Sequence, residues 1–302
     1  MSKIVVVGSS NTDMVVKTER FPQPGETLLG GDFYMFPGGK GANQAVAAAR
    51  AGGPVAFVCC VGGDLFGQNA LKGYEKEGLD VSSAKVVENA TSGVALITVS
   101  EQGENQIVVA SGTNALLSPQ HLEALEEIFT VGDIFLTQLE TPLETVAFLA
   151  EKCRQLNKRL IINPAPAQKL DDDVLQGLYL ITPNETETQI LTGIAIEDEA
   201  SMVKAAQGLL QKGIQNVIMT LGSRGSFYTD GTISFSVSSP KVKAQDTTAA
   251  GDVYNGVLTV CLAQGKGFRE SMSYASKAAA ISVTRMGAQD TAPTQEEINQ
   301  FQ

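Results

Sequence analysis

The chain has 302 residues, enough for one large α/β domain or two smaller ones, with a core that buries roughly three quarters of the unfolded surface. At 43% hydrophobic and 18% charged residues, the composition excludes a disordered chain and a coiled coil. A formal charge of −11, from 22 Lys+Arg against 33 Asp+Glu, repels phosphate backbones and anionic lipid, so neither nucleic acid nor a membrane surface is expected as the main partner.

The start, Met1-Ser2-Lys3 before Ile4-Val5-Val6-Val7-Gly8, has one positive charge and too short an apolar run for a signal peptide. No stretch approaches the ~18 apolar residues of a spanning helix, and the expected location is the cytoplasm. Ile4–Val7 reads as a central parallel strand, and similar runs recur at Val55–Val61, Asp133–Leu139, Leu160–Ile162, Leu178–Ile181 and Val217–Leu221. Helical patterns lie between them, at Ala42–Arg50, Pro142–Leu156, Glu199–Leu210 and Val253–Ala263. This alternation predicts an α/β fold whose mostly parallel central sheet is flanked by helices on both faces.

Two segments break the rhythm, about 13–36 and 93–110, where apolar and polar residues alternate with no helix between. Both read as strands of a small antiparallel β lid, able to cover a site or to pair with its copy in a homodimer. With no low-complexity linker and no internal repeat, one domain over 1–302 is expected.

Cys59, Cys60, Cys153 and Cys261 lack C-x-x-C spacing, and His121 is the one histidine, which disfavours a Cys/His zinc site and leaves buried, reduced thiols as the plain reading. His121 lies in Ser118-Pro119-Gln120-His121-Leu122-Glu123, an N-cap, a first-position Pro and an acidic first turn, and reads as a surface helix residue. Ser-His-Asp and Cys-His catalysis are therefore disfavoured.

Three clusters can carry chemistry. Pro37-Gly38-Gly39-Lys40-Gly41-Ala42-Asn43-Gln44 opens an Ala-rich helix with backbone N–H groups, a Lys and an Asn at one helix start, suited to a polyhydroxyl ligand. It is not a Walker A loop, because Gly41 stands where Ser or Thr is required, and no G-x-G-x-x-G occurs anywhere. Thr182-Pro183-Asn184-Glu185-Thr186-Glu187 follows an apolar run; Asn184 and Glu187 fit a capping box or, alternatively, a hydrated Mg²⁺ held through water. Asp246-Thr247-Thr248-Ala249-Ala250-Gly251-Asp252 runs into helical spacing, so free N–H groups and the positive dipole end make an anion site at small residues. Asp252 there either satisfies the dipole or accepts the proton of an attacking alcohol while the amides hold a transferred phosphoryl group. Gly256 inside that helix costs ~1 kcal/mol against Ala, which signals close packing or a tolerated defect.

Taken together and in this order, these clusters resemble the ribokinase-like, or PfkB, family of carbohydrate and nucleoside kinases. The likeness runs from Val7-Gly8-Ser9-Ser10-Asn11-Thr12-Asp13 through Gln138-Leu139-Glu140-Thr141-Pro142, Asn163-Pro164-Ala165-Pro166-Ala167 and Thr220-Leu221-Gly222-Ser223-Arg224-Gly225 to Gly287-Ala288-Gln289. The resemblance implies transfer of the ATP γ-phosphoryl group to the 5-hydroxyl of D-ribose. It makes Asp252 the base, the Ala250 and Gly251 amides the anion hole, and Asn11, Asp13, Gly39, Lys40, Asn43, Glu140 and Asp252 the sugar contacts. Thr220, Leu221, Gly222, Ser223, Arg224 and Gly225 would line the nucleotide with Asn184, Gly251 and Ser276, the last standing where relatives often place Asn or His beside adenine. Asn184 and Glu187 would organise Mg²⁺ through water. A monovalent cation, K⁺, is implied at Asp246, Thr248, the backbone near Ser282, Arg285 and Gly287, and Thr291. A kinase of the same family acting on fructose, another pentose or a nucleoside remains open, as does a non-catalytic sugar-binding regulator, which the intact Asp252 segment disfavours.

Overall fold

The computed structural model describes residues 3–301. Its first strand, β1 (Lys3–Val7), is apolar at consecutive positions because both its faces are covered: Ile4 and Val6 enter one buried layer, Val5 and Val7 the other. The chain continues through β2 (Asn11–Lys17), β3 (Phe33–Gly38), α1 (Lys40–Arg50), β4 (Val55–Val58), β5 (Cys60–Gly62), α2 (Leu65–Lys76), β6 (Lys85–Val87), β7 (Gly93–Val99) and β8 (Asn105–Ala110). Then come α3 (Pro119–Glu123), α4 (Glu126–Val131), β9 (Gly132–Thr137), α5 (Leu143–Gln155), β10 (Arg159–Ile162), α6 (Asp172–Leu175), β11 (Leu180–Ile181), α7 (Glu185–Thr192) and α8 (Glu199–Gln211). The last elements are β12 (Val217–Thr220), β13 (Ser226–Thr229), β14 (Ser234–Val237), α9 (Ala250–Ala263), α10 (Phe268–Ser282) and α11 (Gln295–Gln300).

The central sheet has the order β14-β13-β12-β11-β10-β9-β1-β4, parallel from β12 to β4, with an antiparallel hairpin, β13–β14, at one edge. One face packs on α1, α9 and α10, the other on α5 and α8. The expected architecture is therefore the observed one. The edge hairpin turns at Asp230-Gly231, where the Asp230 carboxylate accepts from the amides of Thr232 and Ile233.

Two expected elements differ. The run Val55–Val61 divides at Cys59: β4 stays beside β1, while β5 pairs with β6 in a separate two-stranded sheet. The reason is that β1 ends at Val7, opposite Val58, so the chain beyond has no neighbour in the main sheet. His121 is half-buried, not on the open surface; α3 has only five residues, Glu123 ends it, and Nε2 lies 3.4 Å from the Ser83 carbonyl.

The lid is a four-stranded sheet, β3-β2-β7-β8. Each hairpin, β2–β3 and β7–β8, is antiparallel as expected, but the seam between them, β2 on β7, is parallel. Both seam strands leave the body of the protein in the same direction, β2 from Asn11 and β7 from Gly93.

Gly256 is explained by close packing. A Cβ there would lie 2.4 Å from the Gln44 carbonyl oxygen and 2.9 Å from Ala47 Cβ, so α9 and α1 touch nearly backbone to backbone. Gly256→Ala gains ~1 kcal/mol of helix propensity but overpacks a rigid contact at about 1–3 kcal/mol. The variant is expected to unfold at lower denaturant than the parent, and a midpoint at or above the parent's would refute the close-packing account.

Candidate functional site

Every strand from β1 to β12 that the motifs follow ends on the same side of the sheet, where ligands of open parallel sheets bind. Gly8–Asn11 follows β1, Gln138–Glu140 follows β9, Asn163 follows β10, Thr182–Asn184 follows β11 and Leu221–Gly225 follows β12. The starts of α1 and α9 close over this edge.

Asp252 is 5% exposed, in the first turn of α9. Its two carboxylate oxygens accept separate bonds: Asn43 Nδ2 donates to Oδ2 at 2.9 Å and Gln44 Nε2 to Oδ1 at 2.9 Å. The helix begins abruptly because Ala249 takes left-handed backbone angles (φ 58°), which cost an alanine about 1–2 kcal/mol. Of the two amides expected to form an anion hole, Gly251 has no acceptor among the described residues, while Ala250 is turned to the Thr247 carbonyl at a stretched 3.3 Å. The Asp252 amide is also unpaired among the described residues. A side chain built on Gly251 would meet nothing within 4 Å, so open space lies before these amides and the positive end of the helix.

The other wall of the cleft is the glycine turn before α1. Gly39 has φ 90°, and a Cβ there would stand 2.8 Å from the Asn11 amide, so no other residue lets this turn lie against β2. Glu140 Oε2 accepts from the Lys40 amide at 2.9 Å and from Ser9 Oγ at 2.6 Å. Asn11 Oδ1 accepts from Asn114 Nδ2 at 2.7 Å, and Asn114 Oδ1 in turn accepts from the Ser10 amide. The Asp13 carboxylate has no donor among the described residues. Burial first, then the charges of Glu140 and Asp252, push it up to about 6. Lys40 faces Asp252, Glu140, Glu187 and Asp13, and these carboxylates, Asp252 foremost, hold its ammonium above the ordinary lysine range. The expected sugar contacts Asn11, Asp13, Gly39, Lys40, Asn43, Glu140 and Asp252 are thus one neighbourhood.

Asn184 and Glu187 form the full capping box: Asn184 Oδ1 accepts from the Glu187 amide, and Glu187 Oε2 from the Asn184 amide, both at 2.8 Å. Burial pushes the Glu187 carboxyl up to about 7, and Lys40 and Asp252 are the charges it feels. The Thr220 amide donates to the Pro183 carbonyl, joining this cap to the Gly222–Arg224 turn. Gly222, Ser223 and Arg224 are exposed, and Arg224 pairs with Glu185 at 2.5 Å. Ser276 is buried in α10, with no hydrogen bond to these loops among the described residues.

The residues expected around a monovalent cation also meet. Asp246 accepts from the Thr248 amide at 2.9 Å and from the Gly287 amide at 3.0 Å, and the Val283 carbonyl accepts from the Gln245 amide. The Ser282 carbonyl accepts from the Arg285 amide, Thr291 Oγ1 donates to the Ala288 carbonyl, and the Arg285 side chain turns away to Glu297.

Five residues with no assigned role prove structural to the site: Ser9, Asn114, Gln44, Gln138 and Asn163. The last three are buried carboxamides, linked by bonds from Gln138 Nε2 to Gln44 Oε1 at 2.7 Å and from Gln44 Nε2 to Asn163 Oδ1 at 2.9 Å. Ser9, Gln44, Gln138 and Asn163 sit within motif segments quoted above, so the signal was a polar residue inside those stretches; Asn114 lies in none of them.

The raised Asp13 carboxyl makes the folded state hold its proton longer than the unfolded chain. Its ionisation therefore destabilises the fold as pH rises from about 4 to about 6, by of order 1–3 kcal/mol in full above that. Asp13→Asn should melt at a higher temperature than the parent at pH 8, with the gain shrinking as the pH falls from 6 toward 4. A gain independent of pH, or none at pH 8, contradicts this.

Known proteins resemble this chain over nearly its whole length. The family described as pfkB family carbohydrate kinase matches residues 1–295. A ribokinase of Haemophilus influenzae is 43% identical over 298 residues, covering 99% of this chain and 97% of its own. The crystal structure of ribokinase from Thermotoga maritima superposes with a TM-score of 0.90 at 39% identity, covering 100% of this chain and 99% of that one. An Arabidopsis thaliana ribokinase complexed with ribose and ATP gives a TM-score of 0.94 at 28% identity, covering 100% of this chain and 99% of its own. With the sheet order, the glycine turn and the Asp252 helix start, these matches establish that the chain belongs to the pfkB family of carbohydrate kinases.

Proposed function

We propose that this chain transfers the γ-phosphoryl group of ATP to the 5-hydroxyl of D-ribose. The observation that carries the reading is Asp252, a buried carboxylate whose own helix start presents unpaired amides on one side while Asp13, Lys40, Asn43 and Glu140 line the other. Support for the substrates comes from the ribokinases the chain resembles, one of them complexed with ribose and ATP.

In this reading Asp13, Asn43, Glu140 and Asn11 hold the sugar hydroxyls, carboxylates accepting and carboxamides both donating and accepting. Asn43 suits the task because its Oδ1 is buried with no partner among the described residues while its Nδ2 is fixed on Asp252. Asp252 takes the proton of the attacking hydroxyl as the new O–P bond forms and the bond to the ADP oxygen breaks. The Gly251 and Asp252 amides, with Ala250 at the margin, hold the equatorial oxygens of the moving phosphoryl group. The loop Thr220–Gly225 lines the nucleotide, with Ser276 behind it. Mg²⁺ would neutralise the charge developing between the β- and γ-phosphates. Asn184 and Glu187 fit it: a buried carboxylate raised to about 7 is relieved by a nearby cation, and Mg²⁺ keeps its waters. Asp246, Thr248, the carbonyls near Ser282, Arg285 and Gly287, and Thr291 offer the hard oxygen donors that K⁺ takes, on two segments already tied together.

The lid has two faces in register. Asn11 and Asp13 project toward the cleft, while Met35, Met14, Leu96 and Val108 lie directly opposite one another across the four strands on the other side. Leu96 is 53% and Val108 67% exposed. This apolar row supports a homodimer joined through the lids. Four buried, unpaired cysteines support a reducing compartment such as the cytoplasm.

Coupled ADP release over a panel of sugars and nucleosides, with Mg²⁺ and with or without K⁺, tests the reading: ribose should turn over fastest and K⁺ should accelerate it. Faster turnover of fructose or a nucleoside replaces ribose as the substrate. Asp252→Asn should lower kcat by about 10²–10⁴-fold while calorimetry still detects the sugar; normal turnover removes Asp252 from its role. The double variant Leu96→Lys, Val108→Lys should sediment as a monomer where the parent sediments as a dimer; a monomeric parent ends the lid-dimer proposal.

A further inference from the structure

Asp252 is held by more than its two direct donors. Gln44 (0% exposed) reaches it from the first turns of α1, Asn163 stands at the end of β10, and Gln138 (1% exposed) follows β9. These side chains form one connected series that branches at Gln44 toward Asp252. Asn163 Nδ2 donates to the Thr182 carbonyl at 3.3 Å, Gln44 Nε2 donates to both Asn163 Oδ1 and Asp252 Oδ1 at 2.9 Å, and Gln138 Nε2 donates to Gln44 Oε1 at 2.7 Å.

The polarity of this series is forced by its ends. A backbone carbonyl can only accept, and so can an ionised carboxylate. Asn163 must therefore present its nitrogen to Thr182 and its oxygen to Gln44. Gln44 must then present its nitrogen to both Asn163 and Asp252, which leaves its oxygen facing Gln138, and Gln138 must present nitrogen. One atom is left over: Gln138 Oε1 is buried with no partner among the described residues. An orphaned buried acceptor is costly, and an apolar side chain of similar size would remove that cost.

We propose that Gln44, Asn163 and Gln138 are positioning residues for phosphoryl transfer, a one-way amide relay that keeps an N–H, never a carbonyl, turned to Asp252 Oδ1. The inference rests on the kinase reading above and deepens it. A fixed N–H on Oδ1, together with Asn43 Nδ2 on Oδ2, sets the plane of the carboxylate and so aims its remaining lone pairs at the acceptor hydroxyl. Were Gln44 reversed, its oxygen would face the carboxylate and the carboxylate would rotate away; a misplacement on the order of 1 Å costs up to about 10²-fold in rate. The ionisable groups around this centre are Lys40 from α1, Asp13 from β2, Glu140 after β9 and Glu187 from α7.

The test replaces the orphan end. In Gln138→Glu, the introduced carboxyl when neutral donates to Gln44 Oε1 and keeps the relay as it is. When ionised it can only accept, and Gln44 is driven to reverse. Relative to the parent at the same pH, kcat of Gln138→Glu should fall by roughly 10- to 100-fold as pH rises, with ribose KM changed by no more than about threefold, and should recover on acidification. A profile with the parent's shape overturns the proposal. Gln44→Met, of similar length and with no donor, decides the matter independently of whether the first variant folds. It should lose roughly 10- to 100-fold in kcat with ribose KM little changed, while parental kcat, or a KM that rises as much as kcat falls, overturns the relay. The parent and Asp252→Asn are assayed alongside. If Asp252→Asn abolishes the parent's turnover, the kinase reading stands whatever the glutamine variants do. A parent that transfers no phosphoryl group to any sugar ends both.

Discussion

Helices α1 and α9 approach so closely that the Gln44 carbonyl fills the space a side chain at position 256 would need. That contact sets the distance between the first turns of both helices, so Asn43 and Gln44 on one can grip Asp252 on the other at 2.9 Å. The crossing also packs Ala47 and Ala48 against α9, which is why α1 is rich in alanine along its buried length. Because the two helices belong to opposite ends of the chain, closing this contact builds the cleft and completes the core layer on that face of the sheet.

The cleft gathers Asp13, Glu140, Asp252 and Glu187 around Lys40 in a partly buried space. One cation does not neutralise four carboxylates; burial first, then neighbouring carboxylates, raise Asp13 to about 6, and burial raises Glu187 to about 7. Asp252 and Glu140 are held instead by neutral amides and a hydroxyl. Neutral donors stabilise a carboxylate without cancelling its charge, which leaves it able to attract a proton or a hydroxyl. The fold thus carries a local instability that a polyhydroxyl ligand and a hydrated cation would relieve.

The lid follows from the same region. Its strands β2 and β7 begin at the cleft, beside Asn11 and Gly93, and the pleat then assigns alternate residues to the cleft and to the outer face. One short sheet therefore carries polar residues on its cleft face and an apolar row on its outer face, and a slip of one residue in the β2–β7 register would exchange the two.

Much of this was legible in the sequence alone. The continuous apolar runs gave parallel strands covered on both faces, small residues before Asp252 marked a helix start with free amides, and Asn184 with Glu187 spelled a capping box; each is a property of residues within a few positions of one another. Local signals could not tell that Val55–Val61 divides between two sheets, that the lid seam is parallel, or that Gly256 marks a helix crossing instead of a defect. Nor could they join Gln44, Gln138 and Asn163 to Asp252, because those bonds link residues as far apart as 44 and 252, and the partner of a buried amide is set by which chain segments the sheet brings together. The sequence by itself determined the elements and the residue types at their ends. Tertiary structure alone decided which donor faces which acceptor, because hydrogen bonds depend on distances of a few tenths of an ångström that no local pattern encodes.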